Sequence, residues 1–439
     1  MSAFCSQKMN SVVAARLILF VYVGALLLSP PLRLSGMPGM RGFTADQFLV
    51  FIALAGFAFV GPRFFGKALR DCFRRGFFVG YLYAAVVAVA IVAVAFRIVV
   101  DSSQLEPAIE LARLYGVMRP AFVIVLGVLI TRLYFLEAFD KAYRDLVVCF
   151  LVIGAFPLMV GLGQGLGVPS VVDFSANYYS RGSNFDVVLM YGRAYGTFDG
   201  QPNVFGTFCA IYILFLINYL RFSWRLVALV PLLGLAVLCL IFSGSRGAML
   251  ALLIAGMAWM VVSKGFSFIV YAGFLLFVLA GVFFLFEGVL PEAQTGRLIS
   301  ALGLGSGGDP GLATTRLPYW SMMIDLFLQK PLRLLWGVPG YLMPPTDNLQ
   351  LAWVAALGLF GALIYLYIVL RLASKFFQLR DKEGAEFGVL SLVFLLNGVS
   401  YPTFFNGRLG DFFWLAAACV VLGYVHRSDL VNADTAGFS

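Results

Sequence analysis

The chain has 439 residues, of which 61% are hydrophobic and 12% charged, with a formal net charge of +9. Soluble globular chains are about half apolar and about a quarter charged, so these figures exclude a cytosolic enzyme, a secreted disulfide scaffold and a disordered protein. The surplus of 31 Lys+Arg over 22 Asp+Glu would point to nucleic acid in a soluble protein. In a chain this apolar it follows from topology, because cytoplasmic loops of membrane proteins collect Lys and Arg, and no nucleic acid partner is expected.

Taken in order, the apolar runs predict an all-α polytopic membrane protein in one transmembrane domain, 1–439. About 20 apolar residues are needed to cross the hydrocarbon core. Gly76 to Phe96 is such a run, GFFVGYLYAAVVAVAIVAVAF. Twelve spans are expected, with cores at 12–29, 46–62, 76–98, 117–132, 146–162, 203–220, 225–242, 247–262, 266–286, 348–370, 386–401 and 411–425. With the N-terminus inside, the inner segments hold 18 Lys+Arg and the outer segments 13, six of these in two long loops. Long loops carry little weight in orienting a chain, so both termini are placed in the cytoplasm.

Two outer segments are long enough to be functional: 163–202, and 287–347 between spans 9 and 10. Tyr and Pro in both, with Asn in the first and Trp in the second, predict ordered loops. The second includes LPYWSMMIDLFLQKP (Leu317 to Pro331), a pattern for an amphipathic helix lying along the membrane surface. GLGQGLG (Gly161 to Gly167) lacks the strand-to-helix setting of a nucleotide-binding fingerprint and reads as a flexible exit from the membrane. Six cysteines without a CxxC pair and a single histidine, His426, imply no disulfide framework and no metal site.

Of the 31 basic residues 24 are Arg, and the outward side carries 12 Arg against one Lys, Lys330. The planar guanidinium fork suits phosphate and carboxylate, so the outer Arg set is a candidate site for a phosphorylated ligand; ordinary surface charge is the competing explanation. Arg246 is the most specific member. It sits in SGSRG (Ser243 to Gly247), a five-residue break between two apolar spans, where Gly and Ser permit close helix approach and charge is costly unless used. Arg181 and Arg193, in SRGSNFDVVLMYGRAYGTF, and Arg316, in TTRLPYW, lie in the long loops among aromatic residues. Such neighbours suit a sugar-binding surface or a packed loop equally. Arg408, in FFNGRLGDFFW, falls between the last two spans. Asp347, where the second long loop meets span 10, is either a helix N-cap or a general base held by a rigid helix start.

Four of these segments occur in an informative order. GTFDGQPNVFGTF (Gly196 to Phe208, including Asn203) opens a span, SGSRG separates two spans, TTRLPYW follows, and WGVPG (Trp336 to Gly340) precedes TDNLQLAWVAALGLFG (Thr346 to Gly361). Over roughly residues 190 to 370 the chain resembles the O-antigen ligase and polymerase family of bacterial envelope glycosyltransferases. The resemblance implies a GT-C-like fold in the bacterial inner membrane. It also implies transfer of a glycan from undecaprenyl pyrophosphate at the periplasmic face, with inversion and without cofactor or metal. Ligases of this family carry His before the Asn that opens the span after the long loop; here Asp347 precedes Asn348, which resembles the Wzy-type polymerases of O-antigen or exopolysaccharide. The implied roles are Asp347 as base, Arg246 and Arg316 on the pyrophosphate with Arg181, Arg193 or Arg408, and Asn203 and Asn348 as further substrate contacts. A chain-length regulator is the protein partner the resemblance implies. An O-antigen ligase, a flippase of lipid-linked glycan and a non-catalytic scaffold are the alternatives.

Overall fold

The computed structural model describes residues 2–30, 44–72, 78–100, 107–134, 139–179, 193–220, 226–262, 317–339, 342, 349–378, 382–398 and 407–436. These residues are helical almost throughout, and no strand occurs among them. Expected span 9 lies outside the described residues.

Six described helices are long and apolar enough to cross a membrane: α1 (Ser2–Leu28), α4 (Phe78–Val100), α5 (Pro107–Leu133), α6 (Phe139–Gly165), α8 (Pro202–Leu220) and α13 (Leu349–Gln378). A seventh crossing is available from α2 (Ala45–Val60) and α3 (Pro62–Cys72). The span expected at 46–62 corresponds to α2; the chain then bends by 114° at Gly61 into α3, a helix not expected from the sequence. Pro62 has no N–H to continue the ladder and opens a new helix instead; α3 then carries Arg63, Lys67 and Arg70 on one side and buries Ala68 on the other. Shorter apolar helices α9 (Leu226–Ser243) and α10 (Arg246–Val262) are joined by a tight turn and pack on different neighbours, α9 on α8 and α6 and α10 on α8 and α14 (Lys382–Gly398); α15 (Gly407–Ala436) completes the bundle.

One continuous core joins the bundle, with Trp353, Trp414, Tyr83 and Tyr365 among its largest buried side chains. Tyr83 and Tyr365 meet Trp414 edge-on at centroid distances of 5.2 and 5.8 Å, the geometry aromatic quadrupoles favour. α15 packs along α5, α13 lies between α4 and α14, and α8 sits against α9. Outward-facing Leu17, Phe20, Ile52 and Val99 stay exposed, as residues that meet lipid rather than water must.

Within the first long loop, α7 (Pro169–Tyr179) follows α6 after three residues. Tyr179 donates to the carbonyl of Leu28, 2.7 Å away, fastening the loop to the end of α1. The glycine run at the end of α6 departs from the flexible exit read in the sequence. A Cβ on Gly161 would lie 2.2 Å from the Phe205 ring, and one on Gly165 would lie 2.2 Å from the Phe242 ring. The glycines therefore let α6 approach α8 and α9. In the second loop, the helix expected from Leu317 onward is present as α11 (Leu317–Gln329), followed by the short α12 (Leu332–Trp336).

α13 is broken. Gly358 has φ +70° and ψ 175°, a conformation reserved for glycine, and the α12 backbone at Leu335 occupies the space where a side chain would start. The WGVPG segment lies along this break: Val338 N–H donates to the Ala355 carbonyl at 2.8 Å. Arg113, from α5, donates to the carbonyls of Val338 (2.6 Å) and Ala355 (3.0 Å). Arg97, from α4, donates to those of Trp336 (2.6 Å) and Ala356 (3.3 Å). Glu110 pairs with both cations, at 2.8 Å from Arg97 and 3.5 Å from Arg113. An unsatisfied backbone group costs several kcal/mol in hydrocarbon, and these two guanidinium groups make the break tolerable.

Candidate functional site

Ile241, at the end of α9, begins the tight turn to α10. Gly244 takes φ +58° and its N–H reaches the Ile241 carbonyl at 2.9 Å, a left-handed helix ending that glycine adopts at no steric cost. Ser243 Oγ accepts from the Ser245 N–H at 3.2 Å, and both serines are buried. The turn presses on α8: a Cβ on Gly206 would stand 2.4 Å from Ser245 Cβ. Arg246 follows as the first residue of α10, half-buried at this end of the bundle.

Arg193 closes the arrangement. Its Nε donates to the Ser243 carbonyl at 2.7 Å and its Nη2 to Asn203 Oδ1 at 2.8 Å. Beside it, Ala194 N–H donates to the Phe242 carbonyl at 2.9 Å. Three residues read from the sequence as substrate contacts, Arg193, Asn203 and Arg246, thus converge on one turn. Asn203 lies in the first turn of α8 directly after Pro202, so the guanidinium of Arg193 links the α9–α10 turn to the start of α8. Arg181, Arg316, Asp347 and Asn348 lie outside the described residues.

Gln164, which the sequence reading passed over, positions this strand of chain. Its Oε1 accepts from the N–H groups of Tyr195 (2.9 Å) and Gly196 (2.8 Å), and its Nε2 donates to the Gly196 carbonyl at 3.2 Å. A buried amide with all three contacts satisfied fixes a loop as backbone pairing would. The signal available in sequence was a lone polar residue inside a glycine run.

Arg408 differs from its expected place on an outer loop. It is the second residue of α15 and is 4% exposed. Its guanidinium donates to the carbonyls of Thr197 and Ser29 and, at 2.9 Å, to Asp199 Oδ1, and lies 5.9 Å from the Phe198 ring centroid. Asp199 has φ +53°, alone among the described non-glycine residues in that region, and the ion pair holds it there. Arg408 therefore faces the protein's own oxygens, and it shapes the 196–200 turn that leads into α8. A second buried network lies one turn on, where Arg119 of α5 binds both Asp46 of α2 and Asp411 of α15, the latter at 2.8 Å. Tyr22 of α1 donates to the same Asp411 oxygen at 3.2 Å. Gly407 is required here, since a Cβ would strike the Arg119 guanidinium.

The end of the bundle that the charge count assigns to the outside is thus crowded with buried and half-buried Arg. Arg97, Arg113, Arg119 and Arg408 hold structure, whereas Arg193 and Arg246 flank the α9–α10 turn. The sequence pattern could not separate the two groups, because the carbonyls that Arg97, Arg193 and Arg408 meet lie on residues distant in the chain.

Comparison with known proteins bears on this turn. No curated protein matches the chain. The family model described as O-antigen ligase matches residues 231–366, a stretch that begins within α9, contains the SGSRG turn and ends beyond the Gly358 break. The sequence motifs and this match agree: over residues 231–366 the chain is similar to the O-antigen ligase family.

Proposed function

We propose that the protein is a polysaccharide polymerase that moves an oligosaccharide from undecaprenyl pyrophosphate to the hydroxyl of a second lipid-linked repeat unit at the periplasmic face of the inner membrane. The observation that carries the proposal is the convergence of Arg193, Asn203 and Arg246 on a turn inside the matched domain. In this reading the acceptor oxygen attacks the anomeric carbon, the bond to pyrophosphate breaks with both electrons leaving on the phosphate oxygen, and the hydroxyl proton passes to Asp347. Fixed Arg donors stabilise the charge that grows on the leaving group, and attack from the opposite face inverts the sugar. Arg246 and Arg316 bind the pyrophosphate. Arg193 holds the turn beside this anion, with Arg181, Asn203 and Asn348 as further contacts.

The test is a purified protein given a defined lipid-linked repeat unit. Wild type yields dimers and longer products. Arg246→Lys keeps the charge but loses the bidentate fork and should cost at least about tenfold in rate; Asp347→Asn removes the base and should cost about a hundredfold or more. Wild-type rates in both variants would sink the assignment. Transfer to lipid A core is the second reading, favoured by the description of the matched family. It predicts that the same protein uses a lipid A core acceptor and leaves repeat units unpolymerised.

A further inference from the structure

At the elbow between α11 and α12, a cavity of about 270 Å³ opens beside the last turn of α4. Its floor is the Phe96 and Trp336 rings, stacked at 5.0 Å with an interplanar angle of 29°. Three cations line it, Arg97, Lys330 and Arg333, and no carboxylate is among the nine lining residues. Arg97 and Arg333 are buried and Lys330 is exposed at the mouth. Arg97 is immobilised by Glu110, which also pairs with Arg113, and by the carbonyls of Trp336 and Ala356; two guanidinium groups thus share one carboxylate and leave a net positive charge beside the cavity, to which Arg333 and Lys330 add theirs. None of these residues belongs to the Arg193–Asn203–Arg246 site.

Leu332, in the lining, and Leu328, beside the lining residue Gln329 in sequence, face outward. Leu328 is 72% exposed and Leu332 50% exposed; on the opposite side of α11, Met323 and Leu326 are buried against Val338 and Ala355. Exposed leucines flanking a cationic cavity, at the end of a membrane-spanning helix, face the level at which lipid headgroups sit. A free phosphate would use the cations and leave the leucines uncovered, whereas a lipid would satisfy both. We infer that this elbow is a binding site for the phosphate headgroup of an anionic phospholipid from the surrounding bilayer, with an acyl chain lying over Leu328 and Leu332. Bound there, the lipid would tie α11 to the end of α4.

Full-length protein in detergent is incubated with phosphatidylglycerol, phosphatidylcholine or glycerol phosphate, and retained molecules are weighed by native mass spectrometry alongside thermal unfolding. Phosphatidylglycerol should be retained and should raise the melting temperature, while phosphatidylcholine and glycerol phosphate do neither. Lys330→Glu should lower phosphatidylglycerol retention roughly tenfold, the scale of one charge-assisted hydrogen bond, and Lys330→Arg should preserve it. Equal retention of the two phospholipids by wild type would overturn the inference, as would undiminished retention by Lys330→Glu. An equal response to glycerol phosphate would assign the cavity to a soluble anion. Displacement of phosphatidylglycerol by undecaprenyl pyrophosphate would assign it to the carrier lipid, and both outcomes refute the phospholipid site. The lipid result is independent of glycosyl transfer, because the polymerisation assay reads a different set of residues.

Discussion

Arg408→Met tests whether that arginine is architecture or ligand contact. The substitution keeps much of the side-chain volume and deletes the guanidinium that serves Thr197, Ser29 and Asp199. Asp199, 7% exposed, is left as a buried carboxylate without this cation. Breaking a buried pair by removing one partner costs about 3–5 kcal/mol, and each carbonyl that water fails to reach adds roughly 1 kcal/mol or more. The expected loss is therefore at least about 3 kcal/mol, read as a shift in unfolding by denaturing detergent. Asp199→Asn alone should cost less, because the amide oxygen still accepts from Arg408. In the double variant the cost should fall well short of the sum of the single losses, since the second change removes the stranded charge. Glycosyl transfer should fall in Arg408→Met only in proportion to the folded fraction. Unaltered stability with abolished transfer would refute the architectural role and return Arg408 to the substrate, and strict additivity in the cycle would refute the pairing.

Gly358→Ala should destabilise by several kcal/mol: a residue with a Cβ is strained by about 1–2 kcal/mol at this φ, and the new methyl would overlap the backbone at Leu335. Unfolding midpoint of the purified variant measures this, and a wild-type midpoint would mean that the break in α13 is not there. Gln164→Leu should lose about 2–3 kcal/mol, since the N–H groups of Tyr195 and Gly196 are left buried without their acceptor. Gln164→Glu should be less damaging because a carboxylate still accepts both. If Leu and Glu were equally tolerated, the 193–200 segment would not depend on this clamp. Arg193→Lys retains one cation but cannot hold both the Ser243 carbonyl and Asn203 Oδ1. It should cost about 1–2 kcal/mol in stability and lower transfer further than its folded fraction explains; transfer that tracks folding alone would confine Arg193 to a structural role.

The apolar pattern was enough to place most helices. Gly76 to Phe96 became α4, and the amphipathic stretch beginning at Leu317 became α11, because lipid selects for runs of fixed length and surface helices show their own period. The pattern does not register events that depend on a distant partner. Gly358 lies in an unbroken apolar run, and its irregularity comes from the chain at Leu335 occupying its side-chain space. Nothing in the local pattern around Glu110 and Arg97 announces that they form a buried pair. The candidate site was legible to the same extent. SGSRG announced itself as a small-residue turn with one charge, whereas the link from Arg193 to Asn203 joins residues whose meeting requires the 196–200 turn to be folded first. Arg408 was misplaced for the same reason: its partners Ser29 and Asp199 are 379 and 209 residues away.

The broken helix α13 also constrains the order in which the molecule can assemble. Arg97 and Glu110 are 13 residues apart and can pair as soon as α4 and α5 are side by side. The carbonyls of Ala355 and Ala356 emerge some 240 residues later and stay unsatisfied until the WGVPG segment and the two waiting arginines reach them. The early hairpin is thus a preformed socket, and α13 can settle at full depth in the membrane only by docking into it. A nascent chain released with α4 and α5 misplaced would hold α13 either straight or unfinished, so early-span defects should surface as loss of the late half of the protein to proteolysis.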